Sequence, residues 1–477
     1  MKRFAWLLLS MAWLLAGPVG AQPTNFEHVV VIVQENRTPD NLFYALCSTQ
    51  QCSTHPNSKA YDIQMSNWLD KKAAGGTIQP TAISLATLAE PSHGHNAFNA
   101  MCDLDPKTKA CRMDGAGNIF CKQCPPNVEF TYVDNTYHVI DPYLFMATQY
   151  GWANYMFQTN QGPSFPAHQF IFGATSAPSR SDDHRGTFAS ENLRSPGIKV
   201  GSEMIYGCIA PPATRVQLIN AKGKEYKNNN IYPCFEHRTL GDLLDAKAVS
   251  WRYYTPGPGS LWSAPDAIEH ICQPNGIACT GAIWQKDVAL DPVDVLQDIK
   301  ACNLRDVSWV IPSAQYSDHS GIDTVVGPSW VAAVVNAIGN SPCKNADGSS
   351  YWDSAAILVT WDDWGGWYDH EPPTFLPYPE GGYQYGFRVP FLFVSAYTPQ
   401  GYINNNRLDF GTIARFIEFN FGIKMGALTF ADARATTNLA AFYDLGMTAR
   451  TFQTVPAAPF LNGIGGNKFK PEPPDDD

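Results

Sequence analysis

Apolar residues along this chain gather in a few dense runs, set between polar stretches rich in Gly and Pro. Residues 29–33 are five consecutive β-branched positions and predict a buried strand. Residues 355–361 predict a second buried strand, 389–394 a third, and 250–254 a shorter one. Between them the spacing turns helical, briefly at 240–247, again at 330–338, and at 410–421 with the apolar residues on one face. Residues 141–160 read as helical and aromatic-rich, and 26–46 as strand, turn and helix. Gly327-Pro328-Ser329 reads as the cap of the helix that follows it. No internal repeat is present. Strands alternating with helices predict an α/β fold with a mostly parallel sheet.

Composition narrows the class. With 477 residues, 44% hydrophobic and 16% charged, the chain is globular and long enough for a large core. A net charge of −11 without any basic run disfavours nucleic acid as a partner. Lys2 and Arg3, the short apolar stretch 5–17 and Val19-Gly20-Ala21 form a secretory signal over residues 1–21. No later segment is long and apolar enough for a transmembrane span, so a periplasmic or secreted protein is expected. Twelve cysteines then read as up to six disulfides. Cys47 and Cys52 close a small loop, and Cys102, Cys111, Cys121 and Cys124 cluster in one insertion. The last four could alternatively bind zinc, or Cys121 and Cys124 could be redox-active. Residues 22–467 are expected to form one catalytic domain, followed by a disordered acidic tail at 468–477.

The chemistry-bearing residues sit where the predicted strands end. The first strand runs into Glu35-Asn36-Arg37-Thr38, which places hard oxygen ligands and a cation at its carboxyl end. The strand at 355–361 ends in Asp362-Asp363, followed by Trp364-Gly365-Gly366-Trp367-Tyr368-Asp369-His370. Adjacent carboxylates that converge need a cation or a shared proton, and a divalent ion with Glu35 and Asn36 completing its oxygen shell satisfies both. Each motif alone also reads as a solvated polar turn. Gln161-Gly162-Pro163-Ser164-Phe165-Pro166-Ala167-His168 holds Ser164 between prolines, either a plain turn serine or a nucleophile activated by a metal. His93, His270 and His319 stand in polar segments and could contact phosphate oxygens. No Gly-x-Ser-x-Gly elbow, His-Glu-x-x-His helix or Walker loop occurs.

Taken in order, these motifs resemble the bacterial phosphoesterase family that contains phosphatidylcholine-type phospholipases C and secreted acid phosphatases. The resemblance rests on Glu35-Asn36-Arg37-Thr38, Ser92-His93, Met113-Asp114-Gly115, Asp141-Pro142-Tyr143, Gly162-Pro163-Ser164-Phe165-Pro166, Ser317-Asp318-His319, Asp362-Asp363, Tyr368-Asp369-His370 and Gly386-Phe387-Arg388-Val389-Pro390. It departs at Pro39-Asp40-Asn41, where the family has aromatic-Asp-His, and at Ala167, where it has Asn. The resemblance implies an alkaline-phosphatase-like three-layer α/β sandwich with disulfide-linked loop insertions. It implies one divalent metal ion on Glu35, Asn36, Ser164, Asp362 and Asp363, with Ser164 as nucleophile. His93, His270 and His319 would bind the phosphate, and His319 or His270 would protonate the leaving group. The expected function is metal-dependent phosphate-ester hydrolysis of the acid-phosphatase kind. Two alternatives stand beside it: a phospholipase C acting on a phospholipid head group, with Trp364, Trp367 and Tyr368 lining a choline pocket or packing the core, and a non-catalytic phosphate-ester-binding relative.

Overall fold

The computed structural model describes residues 25–457, apart from 56–58, 122–123, 195–198, 201–202, 376–383 and 429–430. The expected signal and acidic tail lie outside the described residues. Eight strands make the central sheet: β1 (His28–Gln34), β2 (Gly151–Ala153), β3 (Trp251–Tyr254), β4 (Val288–Ala289), β5 (Val307–Val310), β6 (Ala355–Trp361), β7 (Phe391–Ser395) and β8 (Tyr402–Asn404). Their spatial order is β4-β3-β5-β1-β6-β7-β2-β8. Every neighbouring pair is parallel except the two made by β7. All seven residues of both β1 and β6 are buried, as the unbroken apolar runs require of strands covered on both faces.

The register shows why the molecule has three layers. Trp309 lies opposite Val31, and Trp361 lies opposite Gln34. Val31 and Gln34 are three positions apart on one strand, so these two tryptophans point to opposite faces. The helices that matter for the site are α1 (Pro39–Leu42), α2 (Asp141–Gln149), α3 (Ser164–Gly173), α4 (Gly327–Gly339) and α5 (Phe410–Asn420). On one face Trp309 meets Phe172 of α3, with ring centroids 5.2 Å apart, and α3 packs on α5. On the other, Trp361 meets Tyr143 of α2 at 5.0 Å, and α2 packs on α4.

Several local expectations needed correction. The helix expected over 141–160 stops at Gln149, because the next residues form β2 and a second strand, Met156–Thr159. Helix α4 begins at Gly327 with Pro328 in its first turn, so Ser329 lies inside the helix and does not cap it. Proline suits that position because its missing N–H has no intrahelical acceptor there. The third strand starts only at Phe391, after Pro390, which cannot donate to a sheet ladder. The four-residue β5 was not anticipated. Neither was the antiparallel sheet of Phe188–Arg194, Arg215–Ile219 and Glu225–Ile231.

All twelve cysteines are paired: Cys47–Cys52, Cys102–Cys111, Cys121–Cys124, Cys208–Cys234, Cys272–Cys279 and Cys302–Cys343. The pairing of Cys121 with Cys124 and of Cys102 with Cys111 leaves no thiolate set there for zinc.

Candidate active site

Parallel pairing of β1 with β6 brings their carboxyl ends side by side, Gln34 against Trp361. The two polar tails are then stitched together by the backbone. Asp362 N donates to the Gln34 carbonyl at 2.9 Å, and Arg37 N to the Asp363 carbonyl at 3.0 Å. Asn36 N donates to Asp362 Oδ1 at 3.0 Å. Asn36 has a left-handed backbone, φ +60°, a conformation that Asn tolerates better than most residues. Gly365 follows at φ +64°, so close to Asn36 that a Cβ there would overlap its carbonyl group. These two turns aim Glu35, Asn36, Asp362 and Asp363 into one buried space.

Ser164 arrives from a different element. It is the first residue of α3, which Pro163 precedes in extended conformation. Its Oγ donates to Asp363 Oδ2 at 3.1 Å and lies 3.5 Å from Asn36 Oδ1. One helical turn on, His168 projects from the same face, as i and i+4 must. Its Nε2 is 3.1 Å from Glu35 Oε1 and 3.7 Å from Asp362 Oδ2. Glu35, Asn36, Ser164, His168, Asp362 and Asp363 are all fully buried. The five residues expected to share a metal are therefore brought together, and His168 joins them. His168 stands in the serine motif four residues after Ser164; that i+4 spacing is the available signal, and it carries weight only once the segment is known to be helical.

The donor set fits a divalent cation. Three carboxylates in a water-excluded space repel one another by several kcal/mol per close pair at an effective dielectric of about 20. Arg37 does not neutralise them. Its guanidinium turns away to the Asp318 carbonyl, Asn41 Oδ1 and the Leu85 carbonyl, over the ring of Trp367. Burial lowers its pKa to about 10, against the pull of Asp318. Asp362 Oδ2 is buried without a hydrogen-bond donor among the described residues. A carboxylate oxygen left so is costly unless a cation meets it.

Two of the expected histidines stand at this site. His93 Nδ1 faces the Pro91 carbonyl at 3.0 Å, and its Nε2 lies 3.0 Å from Asn36 Nδ2. The ring donates through Nδ1 and accepts the Asn36 amide through Nε2, which orients the amide oxygen toward Ser164. His319 lies 6.1 Å from His93, ring to ring, and faces the Ser320 carbonyl through Nδ1. Trp262 covers both His319 and His168, at centroid distances of 5.6 and 6.5 Å.

Asp318, just before His319, ties this loop to the sheet. Tyr143 and Trp361 donate to its Oδ2 at 2.8 and 3.0 Å. Burial pushes this carboxyl up to about 6, against the lowering effect of Tyr143, Arg37 and Trp361. Gly327 permits the approach, since a Cβ there would collide with the Asp318 carboxyl.

His270 is not part of the constellation. It sits half-buried in the short helix Glu269–Cys272, with Nδ1 on Glu236 at 2.8 Å and Nε2 on Asp242 at 3.0 Å. Those two carboxylates engage both ring nitrogens and raise its pKa, the Asp242 hydrogen bond most strongly. Its local polar neighbours in the sequence did not reveal this pairing, which comes from residues about 30 positions away. Trp364, Trp367 and Tyr368 are fully buried. Trp364 packs on Phe387, and Tyr368 stacks on Trp68, so they form core walls.

Behind the site lies a buried ionic clamp. Arg388 grips Asp369 with two bonds of 3.0 Å and reaches Asp62 at 3.2 Å and Asp40 at 3.5 Å. His370 bridges Asp40 and Asp62 at 2.8 and 3.0 Å. Desolvation opposes its charge, yet these carboxylates raise His370 to about 10. The clamp joins α1, just after Glu35-Asn36, to the loop that follows Asp362-Asp363. Arg388 already supplies its cation, so these carboxylates serve as structure. Asn41 links Arg37 to the Thr131 carbonyl. Ala167 is fully buried in α3.

The strand ends and α3 thus deliver carboxylates, an amide and a serine to one buried crevice, a donor set able to hold a divalent cation. This chain belongs to the phosphoesterase family, whose model matches residues 26–424. It is 22% identical over 446 residues to phospholipase C A of Mycobacterium tuberculosis, covering 87% of this chain and 76% of that protein. It is 20% identical over 440 residues to the hemolytic phospholipase C of Pseudomonas aeruginosa, covering 83% of this chain and 53% of that protein. Among solved structures it is similar to an alkaline-phosphatase-superfamily protein from Vibrio parahaemolyticus, at 10% identity and a TM-score of 0.32, covering 60% of this chain and 61% of that one.

Proposed function

We propose that this protein hydrolyses phosphodiesters of the phospholipid head-group kind, with Ser164 as nucleophile and a divalent ion held by Glu35, Asn36, Ser164, Asp362 and Asp363. The observation that carries the reading is the Ser164 hydroxyl hydrogen-bonded to Asp363 at the edge of a buried three-carboxylate cluster. The similarity to phospholipases C of two bacterial genera favours a diester over the phosphomonoester of an acid phosphatase. When bound, the ion supplies charge compensation and acidifies the hydroxyl it contacts.

The chain's own residues account for the rest. Asp363 accepts the Ser164 proton along their hydrogen bond as the serine oxygen attacks phosphorus. The Oγ–P bond forms as the bond from phosphorus to the leaving alcohol oxygen breaks. His319 protonates that oxygen, and water then hydrolyses the phosphoseryl ester. His93 holds the Asn36 amide in one orientation, and Trp262 shields the crevice from bulk water. Export from the cytoplasm is part of the proposal. Six disulfides suit an oxidising compartment, and among the described residues no helix is long and apolar enough to cross a membrane.

The test is release of p-nitrophenol from p-nitrophenyl phosphorylcholine and from p-nitrophenyl phosphate, each with and without a chelator. Chelator-sensitive turnover of the first, lost in Ser164→Ala, is expected. Turnover of the monoester alone returns the acid-phosphatase reading. Activity retained in Ser164→Ala removes Ser164 from the chemistry. Binding without turnover of either substrate leaves a non-catalytic relative.

A further inference from the structure

We infer that His168 is itself a ligand of the ion at the strand ends, giving the site a nitrogen donor and a preference for a borderline transition metal over magnesium or calcium. The inference rests on the metal reading proposed above and deepens it. Four observations lead to it.

The first is placement. Ser164 and His168 are one turn apart on α3, so a helix that presents the serine to the carboxylates presents the imidazole with it. The second is spacing. Ligands at adjacent corners of an octahedron with bonds of about 2.1 Å lie about 3 Å apart. The donor pairs here are separated by 3.1 Å (Ser164 to Asp363), 3.5 Å (Ser164 to Asn36), 3.1 Å (His168 to Glu35) and 3.7 Å (His168 to Asp362). His168, Glu35 and Asp362 offer one ligand atom each within 4.8 Å of one another.

The third observation separates a ligand from a hydrogen-bond donor. His168 Nε2 stands at 3.7 Å from Asp362 Oδ2, beyond hydrogen-bond range. Asp362 Oδ2 is fully buried and has no donor among the described residues. A neutral histidine that merely bonded Glu35 would leave that oxygen without a donor, and a protonated one would meet it only as an ion pair at 3.7 Å. An ion bound jointly by the ring nitrogen and both carboxylates satisfies all three. The fourth is chemistry. Carboxylate and carbonyl oxygens suit Mg²⁺, Ca²⁺ and Mn²⁺, whereas imidazole suits Zn²⁺, Fe²⁺ and neighbouring ions. Five oxygen donors and one imidazole nitrogen therefore shift the preference toward the transition series. The Trp262 ring stacked on His168 holds the imidazole in the crevice.

The experiment is pulsed electron paramagnetic resonance on the full protein, stripped with chelator and reloaded with one equivalent of Mn²⁺. The wild type is expected to show ¹⁴N modulation from a directly bound imidazole. His168→Gln should still bind Mn²⁺ but lose the modulation, and its Zn²⁺ affinity by calorimetry should fall roughly 10–100-fold or more. His93→Gln and His319→Gln should each keep the modulation, which leaves His168 as its source even where the first variant folds poorly. Bound Mn²⁺ without ¹⁴N coupling in the wild type, or coupling that survives in folded His168→Gln, overturns the ligand assignment while the oxygen site stands. Failure of the wild type to bind any stoichiometric ion overturns the metal reading as a whole.

Discussion

Gly365→Ala is the sharpest perturbation of the strand-end geometry, because it alters no ligand. Gly365 has φ +64°, and a Cβ built on it stands 2.7 Å from Asn36 Cβ and 2.8 Å from the Asn36 carbonyl carbon. Carbon atoms pack at about 3.5 Å or more, so Asn36 must retreat by about 0.8 Å. Asn36 is held at φ +60° between Glu35 and the backbone bond from Arg37 N to Asp363 O, so it cannot retreat without carrying its neighbours. The left-handed backbone alone costs an alanine about 1–2 kcal/mol. Adding the collision, the variant is expected to lose about 2–4 kcal/mol of stability. A ligand displaced by nearly 1 Å should lower kcat on the order of 10²-fold. Gly348→Ala is the control. Gly348 has φ +87° with nothing within 4 Å of its Cβ, so it carries the backbone penalty without the collision. The assay compares kcat on p-nitrophenyl phosphorylcholine with the urea midpoint, for both variants, well below the melting temperature. If kcat of Gly365→Ala matches that of Gly348→Ala within about twofold, the position of Asn36 does not matter to the chemistry and the strand-end site is wrong.

Three further outcomes are expected. Chelation should lower the thermal midpoint by removing the counter-charge, and in the chelated protein Asp362→Asn should raise the midpoint while it abolishes ion binding; calorimetric melts with and without chelator read both signs. Arg388→Met should cost about 3–5 kcal/mol, because it leaves Asp369 buried without its cation and Asp40 and Asp62 with His370 alone; a urea midpoint unchanged from wild type would contradict the clamp. Burial, then the neighbouring Glu418, push Asp432 up to about 8, whereas the unfolded carboxyl titrates near about 3.9. The folded state therefore keeps the extra proton between those values. Its stabilisation is fully present below about pH 4 and is lost as pH rises through about 8, so midpoints measured across that window should fall, and Asp432→Asn should flatten the fall.

The residues that the sequence marked most clearly were those at the ends of long apolar runs. Glu35, Asn36, Asp362 and Asp363 follow strands buried on both faces, and such strands advertise themselves as unbroken β-branched runs. Ser164 was legible only through the resemblance of its motif, since two flanking prolines suggest a turn as readily as a helix start. His270 misled because its partners, Glu236 and Asp242, are remote in sequence. His168 went unassigned because its role depends on a helical turn that local pattern did not reveal.

The chain itself determines its strands, its helix faces, the supply of oxygen ligands and the cysteines available for pairing, because these depend on periodicity of 2 or 3.6 and on residue chemistry. What it could not state locally is that β1 lies beside β6, more than 300 residues on, or that α3 begins against the ends of both. Strand order and crossover are settled by burying two faces of one sheet at once, a constraint shared over the whole core and written at no single position. That constraint converts scattered polar turns into one crevice, and it also turns His270 outward to its own carboxylates.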